Sequence, residues 1–249
     1  MKEEKDMERN EDPKKRLIVA LDTDSPEKAK GIAIALRGEV GAFKIGMELF
    51  PRSGPEFVRA IREALGAGVM LDLKFHDIPN TVGGAVRSAA ALGVKFCTIH
   101  ASGGKAMMDA AAEAAKGTNT TVLAVTLLTS LSQPDLKELG FPEDMTAGQL
   151  VLRLAEMAVK AGVGGIVCSG KEVAAVRQCV GSGITLVTPG VRFPDEAVGD
   201  QKRVVTPDEA FKSGADYIVV GRPITKASDP VAAARKFVAA IADGLKARG

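Results

Sequence analysis

Along the chain, short runs of near-continuous apolar residues alternate with longer stretches in which apolar positions recur every three or four residues. The first run is Leu17 to Asp22, Leu-Ile-Val-Ala-Leu-Asp, and an unbroken apolar run of this length is the signature of a strand covered on both faces. Ser25-Pro26-Glu27 follows: a capping serine, a proline suited to the first turn and an acid near the N-terminus start a helix. The alternation then repeats. Further apolar runs span Ala42–Gly46, Val69–Phe75, Phe96–Ala101, Val122–Leu128, Gly165–Ser169, Ile184–Gly190 and Tyr217–Gly221, separated by helical patterns of roughly ten or more residues. Eight strand–helix pairs in about 230 residues predict an α/β fold, a (β/α)8 TIM barrel forming one domain over residues 17–249. A doubly wound open sheet is the competitor, but it usually has fewer strands, and no Gly-x-Gly-x-x-Gly follows the first run.

One stretch carries unusual chemistry. Val69, Leu71, Leu73 and Phe75 alternate with Met70, Asp72 and Lys74, so the period of two puts the last three on one face. Two charges facing a protein interior each need a partner or a job. Asp77 follows beyond the pattern, and Pro79 closes the strand because it has no N–H to give. In a barrel the polar residues that end the strands should converge at the C-terminal mouth. These are Asp22, Lys44, Asp72 with Lys74, His100, Thr126 with Thr129, Ser169, Arg192, and Gly221-Arg222. Two connections, Thr129–Thr146 and Val191–Thr206, are longer than the scaffold needs, as functional loops often are.

The ends of strands seven and eight are where this fold commonly holds phosphate: Gly221 lets backbone N–H groups approach, and Arg192 and Arg222 can fork onto the anion. Opposite them, Lys44, Asp72, Lys74 and Asp77 alternate in sign. At about 4 Å each neighbouring pair interacts by roughly 1 kcal/mol in water-like surroundings and about 4 kcal/mol near a protein surface. Flanked by carboxylates, Lys74 suits proton donation or anion stabilisation rather than service as a neutral amine nucleophile. The lysines sit where a divalent ion would have to go, and no His cluster or His-Glu-x-x-His is present, so no metal is expected. His76 and His100 are the only histidines; acid–base work and a supporting or packing role both stay open for them.

Composition narrows the partners. Of 249 residues 46% are hydrophobic and 26% charged, and no eighteen apolar residues run together, as a membrane span requires. A formal net charge of +2, no Trp and one Tyr leave no nucleic-acid footprint, so any phosphate met belongs to a small molecule. Cys97, Cys168 and Cys179 are odd in number and widely spaced, which fits a reducing, cytoplasmic location. Residues 1–16 are charged, lack the apolar core of a signal peptide and read as a disordered tail.

With these residues in view, Asp-Leu-Lys-Phe-His-Asp-Ile-Pro-Asn-Thr (Asp72 to Thr81) resembles the signature of the orotidine 5′-phosphate decarboxylase family. The resemblance runs along nearly all of the chain after the tail. It includes Ala-Leu-Asp to Asp22, Phe-Lys-Ile-Gly-Met-Glu-Leu-Phe from Phe43, His-Ala-Ser-Gly-Gly from His100 and Leu-Thr-Ser from Leu128. It continues through Val-Thr-Pro-Gly-Val-Arg to Arg192, Asp-Gln at Gln201 and Val-Val-Gly-Arg-Pro-Ile-Thr to Thr225. The resemblance implies a homodimer that loses CO2 from orotidine 5′-phosphate to give UMP in pyrimidine biosynthesis, with no cofactor. Lys44, Asp72, Lys74 and Asp77 would form its catalytic network, Lys74 meeting the carbanion left at C6. Asp77, Ile78 and Thr81 would cross to the partner's site. Asp22, Lys44 and Asp72 would contact the substrate, the first two through the ribose hydroxyls. Thr129 would meet the pyrimidine edge, Gln201 would bridge base and phosphate, and Arg192, Arg222 and the Gly221 N–H would bind the phosphate. Sister barrels acting on sugar phosphates share Asp-x-Lys on strand three, but they use magnesium, carry an acid near the position of Lys44 and lack His-Asp-Ile-Pro. A phosphate-ligand-binding protein without catalysis is a second alternative; binding alone would not need two buried carboxylates near an anion.

Overall fold

Eight parallel strands close on themselves in sequence order. They are β1 Leu17–Ala20, β2 Ala42–Gly46, β3 Gly68–Phe75, β4 Phe96–His100, β5 Thr121–Val125, β6 Gly165–Val167, β7 Thr185–Pro189 and β8 Tyr217–Val220. The structure, a computed structural model, describes residues 12–194 and 205–248. The last strand pairs back onto the first, Ile218 opposite Leu17, so no sheet edge is left to cap. This is the (β/α)8 barrel that the alternating runs predict. Helices α1 Pro26–Ala35, α2 Phe50–Leu65, α3 Pro79–Ala91 and α4 Lys105–Ala115 cover the first half, and α6 Ala147–Lys160, α7 Val173–Val180, α8 Pro207–Lys212 and α10 Pro230–Arg248 the second. Two short helices, α5 Gln133–Glu138 and α9 Arg222–Thr225, sit in connections at the mouth. Ser25 caps α1 as its sequence predicts, its hydroxyl accepting from the Lys28 N–H at 3.1 Å.

The strands read as continuous apolar runs because both faces are covered. Outward residues such as Val19, Phe43, Leu71, Ile99 and Ile218 are buried in one cluster with the helices. Inward residues such as Ile18, Met70, Phe96, Leu123 and Tyr217 fill the barrel as a second. The interior is therefore packed rather than open. Near its base the Phe96 and Tyr217 rings meet edge-to-face at 5.1 Å, and the Lys95 ammonium bonds the Tyr217 hydroxyl at 3.0 Å. Higher up, Ala20, Met70, Val125, Val167 and Val219 floor a cavity that opens at the C-terminal mouth.

The boundary of the expected tail needs correction, because Pro13–Arg16 form a 3-10 turn rather than disordered chain. Asp12 caps the turn by accepting from the Lys14 N–H at 3.0 Å, Lys14 pairs with Glu39 at 3.3 Å, and the Arg16 guanidinium lies 5.4 Å from the Tyr217 ring centre. Short-range capping and a cation over an aromatic face order a segment whose composition alone suggests none. The rest of the expected tail, residues 1–11, lies outside the described residues.

Candidate active site

The site begins with a departure from regular pairing. Leu71 of β3 lies opposite Cys97 of β4, but Phe75 lies opposite Ile99, so four residues of β3 advance as far as two of β4. The surplus is a bulge over Asp72–Lys74, a device that re-aims side chains at a barrel rim. Lys74 takes up the distortion with a positive φ of 50°, alone among the described non-glycine residues, a conformation that costs of order 1–3 kcal/mol. Its N–H leaves the ladder and donates to Thr98 Oγ1 at 2.9 Å, while the same hydroxyl donates to Asp72 Oδ1 at 2.9 Å. Thr98 therefore fastens both the backbone of Lys74 and the carboxylate of Asp72.

From this bulge an alternating row of charges crosses the mouth. Lys74 Nζ lies 2.9 Å from Asp72 Oδ2, Lys44 Nζ lies 3.5 Å from the same oxygen, and Lys44 Nζ donates to Asp22 Oδ1 at 2.7 Å. Asp72 and Lys44 are buried, whereas the Asp22 side chain is half exposed. Burial pushes the Asp72 carboxyl upward, but the Lys44 and Lys74 charges and the hydrogen bonds from Lys74 and Thr98 outweigh it, holding the group below the ordinary carboxylate range. Gly46 makes room for the row: a Cβ there would stand 2.9 Å from Lys44 Nζ and 3.1 Å from Asp22 Oδ1.

The cavity above the floor has a volume of about 570 Å³, the size of a pocket for a nucleotide-sized ligand. Asp22, Lys44, Asp72 and Lys74 line one side, with Thr129, Arg192, Gly221 and Arg222 completing the wall. Arg192 is buried, and its backbone N–H donates to the Val205 carbonyl at 3.1 Å, anchoring the strand-seven connection. Gly221 is not forced by packing, since a Cβ there would meet only Ala20 at an ordinary 3.6 Å. Its bareness leaves the wall open toward the cavity.

Other candidates lie elsewhere. Asp77, Ile78 and Thr81 are exposed at the start of α3 and do not line this cavity; Ile78, an apolar residue, is 67% exposed. Gln201 lies outside the described residues. Thr126 and Ser169, expected at the mouth, turn away from it: the Thr126 hydroxyl donates to the Val167 carbonyl at 3.1 Å, and Ser169 is fully buried. Their strands end earlier than the apolar runs do, and Thr126, next after the inward Val125, falls on the outward face by the period of two. The His76 and His100 rings pack 5.4 Å apart without lining the cavity. Burial, then the neighbouring His76 and Lys74, lowers the His100 pKa despite the opposing effect of Asp72. Cys97 is buried and its thiol pushed up to about 12, which leaves it unreactive. Among the described residues no three His, Cys, Asp or Glu side chains gather as a metal site, and no helix is long and apolar enough to cross a membrane.

Thr98 and Gly46 were missed as site residues. Thr98 is legible as the polar position between Phe96 and His100 on the inward face of β4, and Gly46 as the next inward position after Lys44.

Comparison with known proteins finds relatives along nearly the whole chain. The chain is 54% identical over 233 residues to an orotidine 5′-phosphate decarboxylase of Anaeromyxobacter sp. (strain K), covering 94% of this chain and 99% of that protein. It is 47% identical over 231 residues to the same-named protein of Idiomarina loihiensis, covering 92% and 98%. Among solved structures, the orotidine 5′-phosphate decarboxylase of Lactobacillus acidophilus superposes with a TM-score of 0.79 at 37% identity, covering 90% of this chain and 98% of that one. An uncharacterized conserved protein from Geobacillus kaustophilus superposes with a TM-score of 0.77 at 33% identity, over 90% and 99%. Residues 15–237 match a family model spanning nearly the whole barrel, and the chain belongs to the orotidine 5′-phosphate decarboxylase / HUMPS family.

Proposed function

We propose that this barrel decarboxylates orotidine 5′-phosphate to UMP without metal or cofactor, and that Lys74 is the group that meets the reacting carbon. The observation that carries this reading is an ammonium fixed 2.9 Å from the buried Asp72 carboxylate at the base of a cavity whose opposite wall holds Arg192 and Arg222. Breaking the C6–carboxylate bond leaves its electron pair in the ring plane, where the π system cannot accept it, while CO2 departs. A preorganised cation beside that carbon stabilises the developing charge. Lys74 then transfers a proton to C6 and is recharged from water. Asp72 holds Lys74 in place and faces the departing carboxylate, which raises the energy of the bound substrate. Asp22 and Lys44 hold the ribose hydroxyls, Thr129 meets the pyrimidine edge, and Gln201 bridges base and phosphate.

The magnesium-dependent sugar-phosphate chemistry of sister barrels fits these residues poorly. Lys44 Nζ already occupies the space between Asp22 and Asp72, the carboxylates a divalent ion would need.

The phosphate end belongs to Arg192, Arg222 and the Gly221 N–H. Arg222→Ala is expected to raise KM for orotidine 5′-phosphate roughly 10- to 100-fold, the worth of one charge-assisted hydrogen bond. It should change turnover of orotidine, which lacks the phosphate, by less than about threefold. Steady-state kinetics on both substrates decide the point, and equal losses would remove Arg222 from the phosphate.

The working unit in this reading is a two-fold homodimer in the cytoplasm. The exposed Asp77, Ile78 and Thr81 complete the partner's site, which explains why an apolar Ile78 stands in the open on one chain. Lys74→Ala and Asp77→Ala should each be nearly inactive alone. Mixed and allowed to reassociate, they should recover about one quarter of wild-type activity, since half of the dimers are hybrids with one intact site each. No recovery from a mixture shown to exchange subunits would place Asp77 in its own chain's site.

A further inference from the structure

We infer that Lys226 steers the phosphorylated end of the substrate into the cavity, extending the cationic side of the mouth beyond Arg192 and Arg222. Lys226 follows α9, its N–H donating to the Arg222 carbonyl at 3.0 Å, so it lies one helical turn beyond Arg222 and lines the same cavity. It is exposed, and among the described residues no carboxylate comes within ion-pair distance of it. Exposed Lys28, Lys30 and Lys171 likewise have no acidic partner among the described residues, but they do not line the cavity, so what sets Lys226 apart is its place at the mouth. The other side of the mouth is acidic at its edge. Glu48, exposed and without an ion pair among the described residues, lines the cavity near Asp22 and Lys44.

A mouth with unneutralised positive charge above β8 and negative charge above β2 gives an approaching dianion a direction. Exposed rim charges of this kind act on encounter rates and salt dependence more than on the bound state. Lys226 carries this effect because its charge is not spent on a partner. The cavity wall below it, Arg192 with Arg222, does the holding.

The inference rests on the phosphate end assigned above, and its test separates the two. Lys226→Glu is expected to lower kcat/KM for orotidine 5′-phosphate roughly fivefold at low ionic strength, and by less than about twofold at 0.5 M salt, where the screening length falls to a few ångströms. kcat, and kcat/KM for orotidine, should hold their wild-type values. Lys226→Arg should keep wild-type kinetics, and Lys246→Glu, which makes the same change in net charge on α10, should have no effect at either salt. Equal behaviour of Lys226→Glu and wild type at low salt would overturn the assignment, as would an equal loss with orotidine. Calorimetric titration of UMP into the same variants covers the remaining case. A wild-type chain that binds UMP without turnover contradicts the decarboxylase reading, while the salt-dependent difference in the rate of UMP association, read by stopped flow, still supports or overturns Lys226. A chain that binds no UMP overturns both.

Discussion

Lys74→Ala is expected to cut kcat by more than about 10⁴-fold, because the lysine supplies both anion stabilisation, worth roughly 10² to 10³, and proton transfer, worth a similar factor or more. The fold should survive. Asp72 keeps Lys44 at 3.5 Å and the Thr98 hydroxyl at 2.9 Å, so its buried charge is not orphaned. The backbone adds a second expectation. Residue 74 sits at φ 50°, where a Cβ is strained and glycine is not. Lys74→Gly should therefore be as inactive as Lys74→Ala but at least as stable in thermal unfolding, although glycine ordinarily weakens a strand. A Lys74→Gly protein several degrees less stable than Lys74→Ala would mean the bulge is not strained. Strain held at the residue that does the chemistry is the pattern expected of a functional site.

Asp72→Ala should damage both stability and activity. It leaves Lys74 without its 2.9 Å partner and Lys44 with Asp22 alone, and removing one member of a buried charge network costs about 3 kcal/mol or more. Denaturant unfolding should show that loss, with activity down roughly 10³-fold as Lys74 loses its placement. The pH dependence has a definite sign. The folded Asp72 carboxyl titrates below its reference of 3.8. Its contribution is therefore complete above that value and disappears as pH falls through the lower, folded one. Wild-type stability should fall more steeply than that of Asp72→Asn below about pH 4, and the two curves should run parallel above about pH 5. Parallel curves down to pH 2 would show that the ionised carboxylate stabilises nothing.

The barrel was legible because its signal is repeated: eight runs covered on both faces leave little room for another architecture. The positions of Asp22, Lys44, Asp72 and Lys74 around one cavity follow from strand ends and a period of two. What periodicity cannot express is a break in itself. The bulge at Asp72–Lys74 depends on how β3 pairs with β4, and only that pairing recruits Thr98. Strand ends were the other weak point. Thr126 and Ser169 extend apolar runs in the sequence, but their strands stop at Val125 and Val167, and both side chains turn into the protein. The 3-10 turn at Pro13–Arg16 was hidden for the opposite reason: beyond the local Asp12 cap, its contacts are with Glu39 and Tyr217, far along the chain.

The most direct test of the account is the absorbance change of orotidine 5′-phosphate on mixing with the purified protein, in buffer with and without EDTA. Complete conversion to UMP at the same rate in both buffers is expected. A folded protein that leaves the substrate unchanged, or that converts it only until the chelator is added, would contradict it.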